Sequence, residues 1–163
     1  MAKVSNRLNL INDSAMVAGA KKLYNAIRKF APYKRIKDSV FISRVEGRGD
    51  SRFISVGINM NPITGAPFAR AFDIGSGIHA VKGKKGRYKI VPKNFPYLQF
   101  RGTNDFAGQI IRVKGVLHPG VRGTGYTKKA IDEVRPKIRE TIAKEVKQNL
   151  RLYLRAEFEK FGK

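Results

Sequence analysis

Residues 131–158 read IDEVRPKIRETIAKEVKQNLRLYLRAEF. In that stretch Ile131, Val134, Ile138, Ile142, Val146, Leu150, Leu154 and Phe158 recur every three or four positions, which is the spacing of one face of an α-helix. Pro136 is the anomaly. It lacks an amide donor and crowds the carbonyl of Asp132, so the helix either kinks there or starts afresh with Pro136 in its first turn. From Pro136 to Lys160 a helix runs about 38 Å at 1.5 Å per residue. A compact body of this length has a radius of gyration of about 15 Å. A stripe that outruns its own core is expected to meet a neighbouring subunit. Ile142, Val146, Leu150, Leu154 and Phe158 are therefore candidate interface residues, with ordinary core packing as the alternative.

Upstream, Met16, Ala20, Leu23, Ile27 and Phe30 step by three and four and predict a first helix, which Pro32 ends. Asn12, Asp13 or Ser14 can cap it, or it begins earlier, near Ser5. Two strands follow, residues 39–46 (SVFISRVE) and 52–58 (RFISVGI), joined by the turn chemistry of Gly47 to Ser51. Residues 59–80 are rich in Pro and Gly and read as an extended loop. Only residues 67–74 (PFARAFDI) suit a short helix. Residues 87–91, 96–100 and 109–117 read as three more strands, with a turn at 102–105 between the second and third. Helix, hairpin, loop, strands and long helix predict an α+β fold, a mostly antiparallel sheet with the helices on one face, in a single domain over 1–163.

The chain has 163 residues and 34 Lys and Arg against 12 Asp and Glu, a net charge of +22. That excess implies a counter-charged partner: nucleic acid, an acidic protein surface or anionic lipid. No stretch reaches the roughly 20 apolar residues of a membrane span, and no membrane role is expected. The N-terminus is broken by Arg7, Asn9, Asn12 and Asp13 and does not read as a secretory signal, which points to a cytoplasmic origin. The absence of cysteine excludes disulfides, thiolate nucleophiles and cysteine metal sites.

The sequence carries no recognisable catalytic pattern, so no enzyme, no metal and no cofactor are expected. There is no P-loop and no G-x-S-x-G, and the acids are scattered. His79 and His118 read as loop histidines with local hydrogen bonds, since no acid or nucleophile stands at a recognisable spacing. Arg48-Gly49-Asp50 reads as a hairpin turn rather than an adhesion motif. The densest charge is Lys82, Lys84, Lys85, Arg87 and Lys89, around Tyr88. It is a candidate contact for DNA phosphates, with Tyr88 stacking on a base, or for an acidic protein.

Three stretches, read in order, resemble the tail-completion, or head–tail joining (neck), proteins of tailed bacteriophages. Residues 66–77 (APFARAFDIGSG) are similar to that family's A-P-x-A-x-x-x-E-x-G-[ST] segment, with Asp73 in place of the glutamate. Residues 90–100 (IVPKNFPYLQF) resemble its I-x-P-K-x…L-x-F strands. Residues 116–120 (VLHPG) and 125–130 (GYTKKA) resemble the lead into its last helix, with Gly125 for the family's proline and Thr127 for its branched residue. The matching positions Ala66, Pro67, Ala69, Asp73, Gly75, Ser76, His118, Pro119 and Gly120 would shape joints of the fold. Gly75 and Gly77 permit positive φ, and His118 to Gly120 make a rigid turn.

The resemblance implies a virion structural protein, without catalysis, assembled in the host cytoplasm. It would act at the head–tail junction as a tail terminator or neck adaptor. Its partners would be copies of itself in a six- or twelve-fold ring, other neck, portal or tail-tube proteins, and genomic DNA in the bore. The charge alone supports a different class, a protein that binds nucleic acid without reading its sequence.

Overall fold

The computed structural model describes residues 2–47, 51–80, 85–101 and 107–161. Its elements run in the predicted order: α1 (Ala2–Phe30), α2 (Lys34–Asp38), β1 (Val40–Ile42), β2 (Val56–Ile58), α3 (Ala69–Ile74), a 3-10 turn (Gly77–His79), β3 (Tyr88–Ile90), β4 (Leu98–Arg101), β5 (Ile110–Val113), β6 (Val116–His118) and α4 (Tyr126–Phe161). The α+β class holds. The strands, however, form three separate antiparallel pairs rather than one sheet. The chain divides into two compact units: unit 1, Met1–Ala69 with Gly125–Lys163, and unit 2, Arg70–Thr124.

Unit 1 is built on the pairing of α1 with α4. The first helix begins at Ala2, so Asn12, Asp13 and Ser14 lie inside it and cap nothing. Ile11, Ala15, Ala20, Ala26 and Ile27 are buried along it, as are Ala130 and Val134 on α4. Small residues let the helices approach closely. A Cβ added at Gly19 would stand 3.0 Å from Cγ1 of Ile142. Helix α4 is continuous through Pro136, so the alternative of two helices is set aside. At 36 residues it is about 54 Å long. Buried Val134 before the proline and half-buried Ile138 after it anchor both sides of the lost hydrogen bond.

The hairpin of unit 1 pairs Val40 with Ile58 and Ile42 with Val56. Farther out, Glu46 bridges Phe53. Three residues on one strand, Arg44 to Glu46, thus advance against two on the other, Ile54 and Phe53: a one-residue bulge that shortens the regular strands below their predicted lengths. The turn at Arg48-Gly49-Asp50 lies outside the described residues. The Arg52 guanidinium ties the hairpin back to α1, 2.6 Å from Oδ1 of Asp13 and 3.2 Å from the Asn9 carbonyl. The loop after β2 is ordered by hydrogen bonds. Arg35 donates to the carbonyls of Gly65 (2.6 Å) and Pro62 (2.8 Å), and the Asn61 amide accepts from the N–H groups of Ile63 and Thr64.

In unit 2, β3 pairs with β6 (Tyr88 with His118, Ile90 with Val116) and β4 with β5 (Leu98 with Val113, Arg101 with Ile110). The second pair is nested inside the first in chain order, and the two pairs together make up the arm. The single strand predicted over 109–117 is broken by Lys114-Gly115 into β5 and β6. On the opposite side seven residues, Val91 to Tyr97, separate β3 from β4. Seven cannot pair with two, so this segment bulges out of the ladder. Among the described residues every buried apolar side chain belongs to unit 1, and the arm's strands are exposed or half-buried throughout.

Candidate functional site

The positions singled out in the sequence fall into four groups. Ala66, Pro67 and Ala69 belong to unit 1. Ala66 and Ala69 are fully buried and Pro67 is exposed. The Ala69 carbonyl accepts a hydrogen bond of 3.2 Å from the hydroxyl of Tyr126, whose side chain is 1 % exposed. Here the first motif meets the aromatic that opens the last helix.

Gly75, Ser76, His118, Pro119 and Gly120 come together in unit 2, 40 residues and more apart in sequence. The Ser76 N–H donates to the Val121 carbonyl (2.8 Å), and the Ser76 hydroxyl accepts from the Val121 N–H (2.9 Å). The Ile78 N–H donates to the Pro119 carbonyl (2.8 Å). The Gly120 N–H donates to Nδ1 of His118 (2.9 Å), so that nitrogen is an acceptor and is used locally. Gly120 has φ of +102°, and a Cβ there would overlap the Ser76 carbonyl. Only glycine allows the two segments to touch. Asp73 is half-buried beside this clasp in the sequence, and the next link runs from the Thr124 N–H to the Phe72 carbonyl at 2.8 Å. The cluster is a structural joint made mainly of main-chain hydrogen bonds. Among the described residues no three His, Asp or Glu side chains gather in a metal-binding group.

Of the basic segment, Lys82 and Lys84 lie outside the described residues. Lys85, Arg87 and Lys89 are exposed. Tyr88, expected to stack on a base, has its ring 5.4 Å from the His118 ring, tilted by 39°.

The apolar stripe of α4 does not form one face. Successive i,i+4 steps rotate by about 40°, because four residues exceed the 3.6 of one turn. Ile142 starts against Gly19 of α1. Val146 and Leu150 are half-buried. Leu154 is 45 % exposed and Phe158 72 %. Ile142 is thus packed within the chain, and the end of the stripe is left uncovered, beside the exposed cations Lys147, Arg151 and Arg155, as is Ile131 at its start.

One further surface escaped the sequence reading. The bulge of the arm carries Phe95, 77 % exposed, and the half-exposed Tyr97, with Pro96 between them. They line an open groove together with Lys93, Gln99 and Arg112. The signal was present as an aromatic-proline-aromatic run two residues after Lys93, but the strand predicted over 96–100 takes in Pro96 and Tyr97 and leaves Phe95 outside it.

No helix among the described residues is long and apolar enough to cross a membrane. Compared with known protein families, with curated proteins and with solved structures, the chain matches none.

Proposed function

We propose that this chain is a structural protein of a tailed-phage virion, one subunit of an oligomeric ring that joins the portal side to the tail. The observation that carries the reading is the unburied apolar surface of the unit 2 arm in a chain of net charge +22. Contiguous exposed apolar surface on a protein marks a place where something else binds. The order of the three motif stretches supports the same reading, as does the close packing of the two segments that make the clasp. In a six- or twelve-fold ring, neighbouring copies pack side by side while adjoining neck, portal or tail-tube proteins cover the arms. Genomic DNA in the bore or acidic neighbours balance the charge. The protein then works by shape and surface complementarity at the head–tail junction, after assembly in the host cytoplasm, and has no catalytic role.

Quantitative mass spectrometry of purified virus particles tests this. The expected result is a copy number of about six or twelve per particle, as closed rotational symmetry requires. Absence from intact, infectious particles removes the reading. Within it, reversing Lys84, Lys85 and Arg87 to glutamate together is expected to block particle assembly. Unimpaired assembly would free that segment of a contact role.

A second reading, binding of nucleic acid without sequence selection, is favoured by one specific observation. Between residues 70 and 124 there are eleven Lys and Arg and only two acids, Asp73 and Asp105.

A further inference from the structure

We propose that the groove on the bulge of the unit 2 arm binds single-stranded nucleic acid, with Phe95 and Tyr97 stacking on bases and Lys93 and Arg112 holding phosphates. The site lies within unit 2 and deepens the second reading above. It does not depend on the ring.

The ligand class follows from the chemistry of the lining. Phe95 presents most of its ring to solvent at 77 % exposure, and Tyr97 stands two residues on. Exposed aromatic faces of this kind stack on any base, because every base has a π-face. Pro92 and Pro96 bracket the segment and fix φ on either side of Phe95, so less freedom is lost when a ligand orders it. The flat surface is thus already in place.

The charge narrows the choice. Lys93 belongs to the bulge itself. Arg112 comes from β5, opposite Gln99 in the ladder, and its Nε donates to Oε1 of Gln99 at 3.3 Å. That bond leaves the terminal guanidinium nitrogens to face an anion, and a guanidinium can grip a phosphate with two parallel hydrogen bonds. The groove therefore offers aromatic platforms and two cations side by side, in a unit with a single acid among its described residues, Asp73. A second copy of this chain would bring its own excess of positive charge to the same place, which disfavours it. A strand of unpaired nucleotides supplies flat apolar rings and negative charge in alternation. A duplex hides its ring faces in the stack and offers only phosphates.

The test uses the full chain and a labelled oligothymidylate of about 16 nucleotides, the upper end of known single-strand sites. A duplex of equal length is the comparison. The single strand is expected to bind more tightly than the duplex. Phe95→Ala is expected to weaken single-strand binding about 5- to 100-fold while the salt dependence stays the same, since a stacked ring releases no counterions. Lys93→Gln with Arg112→Gln is expected to lower the slope of log affinity against log salt by about 1.4, at 0.7 per phosphate contact on a single strand. Because Phe95 is largely exposed, its loss should leave the circular dichroism spectrum and the melting temperature unchanged, so an affinity change reports contact. Equal binding of single strand and duplex, or Phe95→Ala binding as the parent does, overturns the proposal. So does a concentration-dependent self-association in sedimentation that Phe95→Ala abolishes, since it assigns the groove to a second copy. Binding of an acidic polypeptide such as polyglutamate in preference to the oligonucleotide overturns it equally.

Discussion

Unit 1 is held together by side chains and unit 2 by main chain. In unit 1 a helix pair closes over Ile11, Ala15, Ile27, Ala130 and Val134, and a buried tyrosine is anchored by its hydroxyl. In unit 2 two strand pairs and a clasp are joined by N–H to carbonyl bonds, while the apolar side chains stay near solvent. A two-stranded ladder without a covered face is marginal in water, because burial supplies most of the favourable free energy of folding. The difference teaches that the two regions answer to different stabilising agents. Unit 1 has a buried core of its own, although Ile63 and Phe158 stay exposed on it, whereas unit 2 buries none of its described apolar side chains.

The sharpest way to break this contrast is to remove the anchor of unit 1. Tyr126→Ala is expected to destabilise the protein by about 3–5 kcal/mol, the range for a buried aromatic. Tyr126→Phe keeps the ring, removes the bond to Ala69 and should cost about 1 kcal/mol. Urea denaturation measures both, and an unchanged midpoint for Tyr126→Ala would mean that the core lies elsewhere. Next comes Gly19→Leu, which forces a side chain into Ile142 and is expected to cost about 1–3 kcal/mol, with part of the loss recovered by adding Ile142→Ala.

The clasp sharpens the contrast from the other side. Gly120→Ala places a side chain at positive φ against the Ser76 carbonyl and should cost about 1–3 kcal/mol. Hydrogen exchange reads where that loss falls. The amides of Ser76 and Val121 are expected to exchange faster, while those of Ala15 and Ala20 hold their protection. A uniform change across both units would show that they unfold as one. The smallest effect belongs to the ion pair of Lys29 and Glu133, at 2.9 Å and partly exposed. Lys29→Gln should shift stability by less than about 1 kcal/mol, and less still in high salt.

The helices were legible because a 3.6-residue period writes itself into spacing, and Pro32 marked the end of α1 in plain view. The i,i+4 stripe misled about faces for the same reason that it revealed a helix. It names a period but conceals a slow rotation, so Ile142 and Phe158 look like neighbours on one surface and are not. The strands were found, but not who pairs with whom. The partner of β3 is β6, with β4 and β5 lying between them in the chain, and period-two alternation carries no record of a partner. The clasp was half legible. Gly75, Gly77 and Gly120 stood out as turn residues, yet their spacing carries no record that the two segments meet through main-chain bonds. The groove was missed because Tyr97 falls in the run predicted as a strand over 96–100, where an aromatic reads as a strand former, and Phe95 falls just outside that run.

The hydrogen bond from Thr124 to Phe72 has a consequence for the gene as well as for the fold. It brings the two ends of the inserted segment to within 2.8 Å of each other, atom to atom. Whatever lies between them leaves and returns at one point. A segment attached in this way can lengthen, shorten or be exchanged for another without moving its points of attachment, and closing a longer excursion costs only about 0.6 kcal/mol for each doubling of length. The arm is therefore the part of this protein most open to replacement. Related chains that meet different neighbours would be expected to keep the helices and trade the arm.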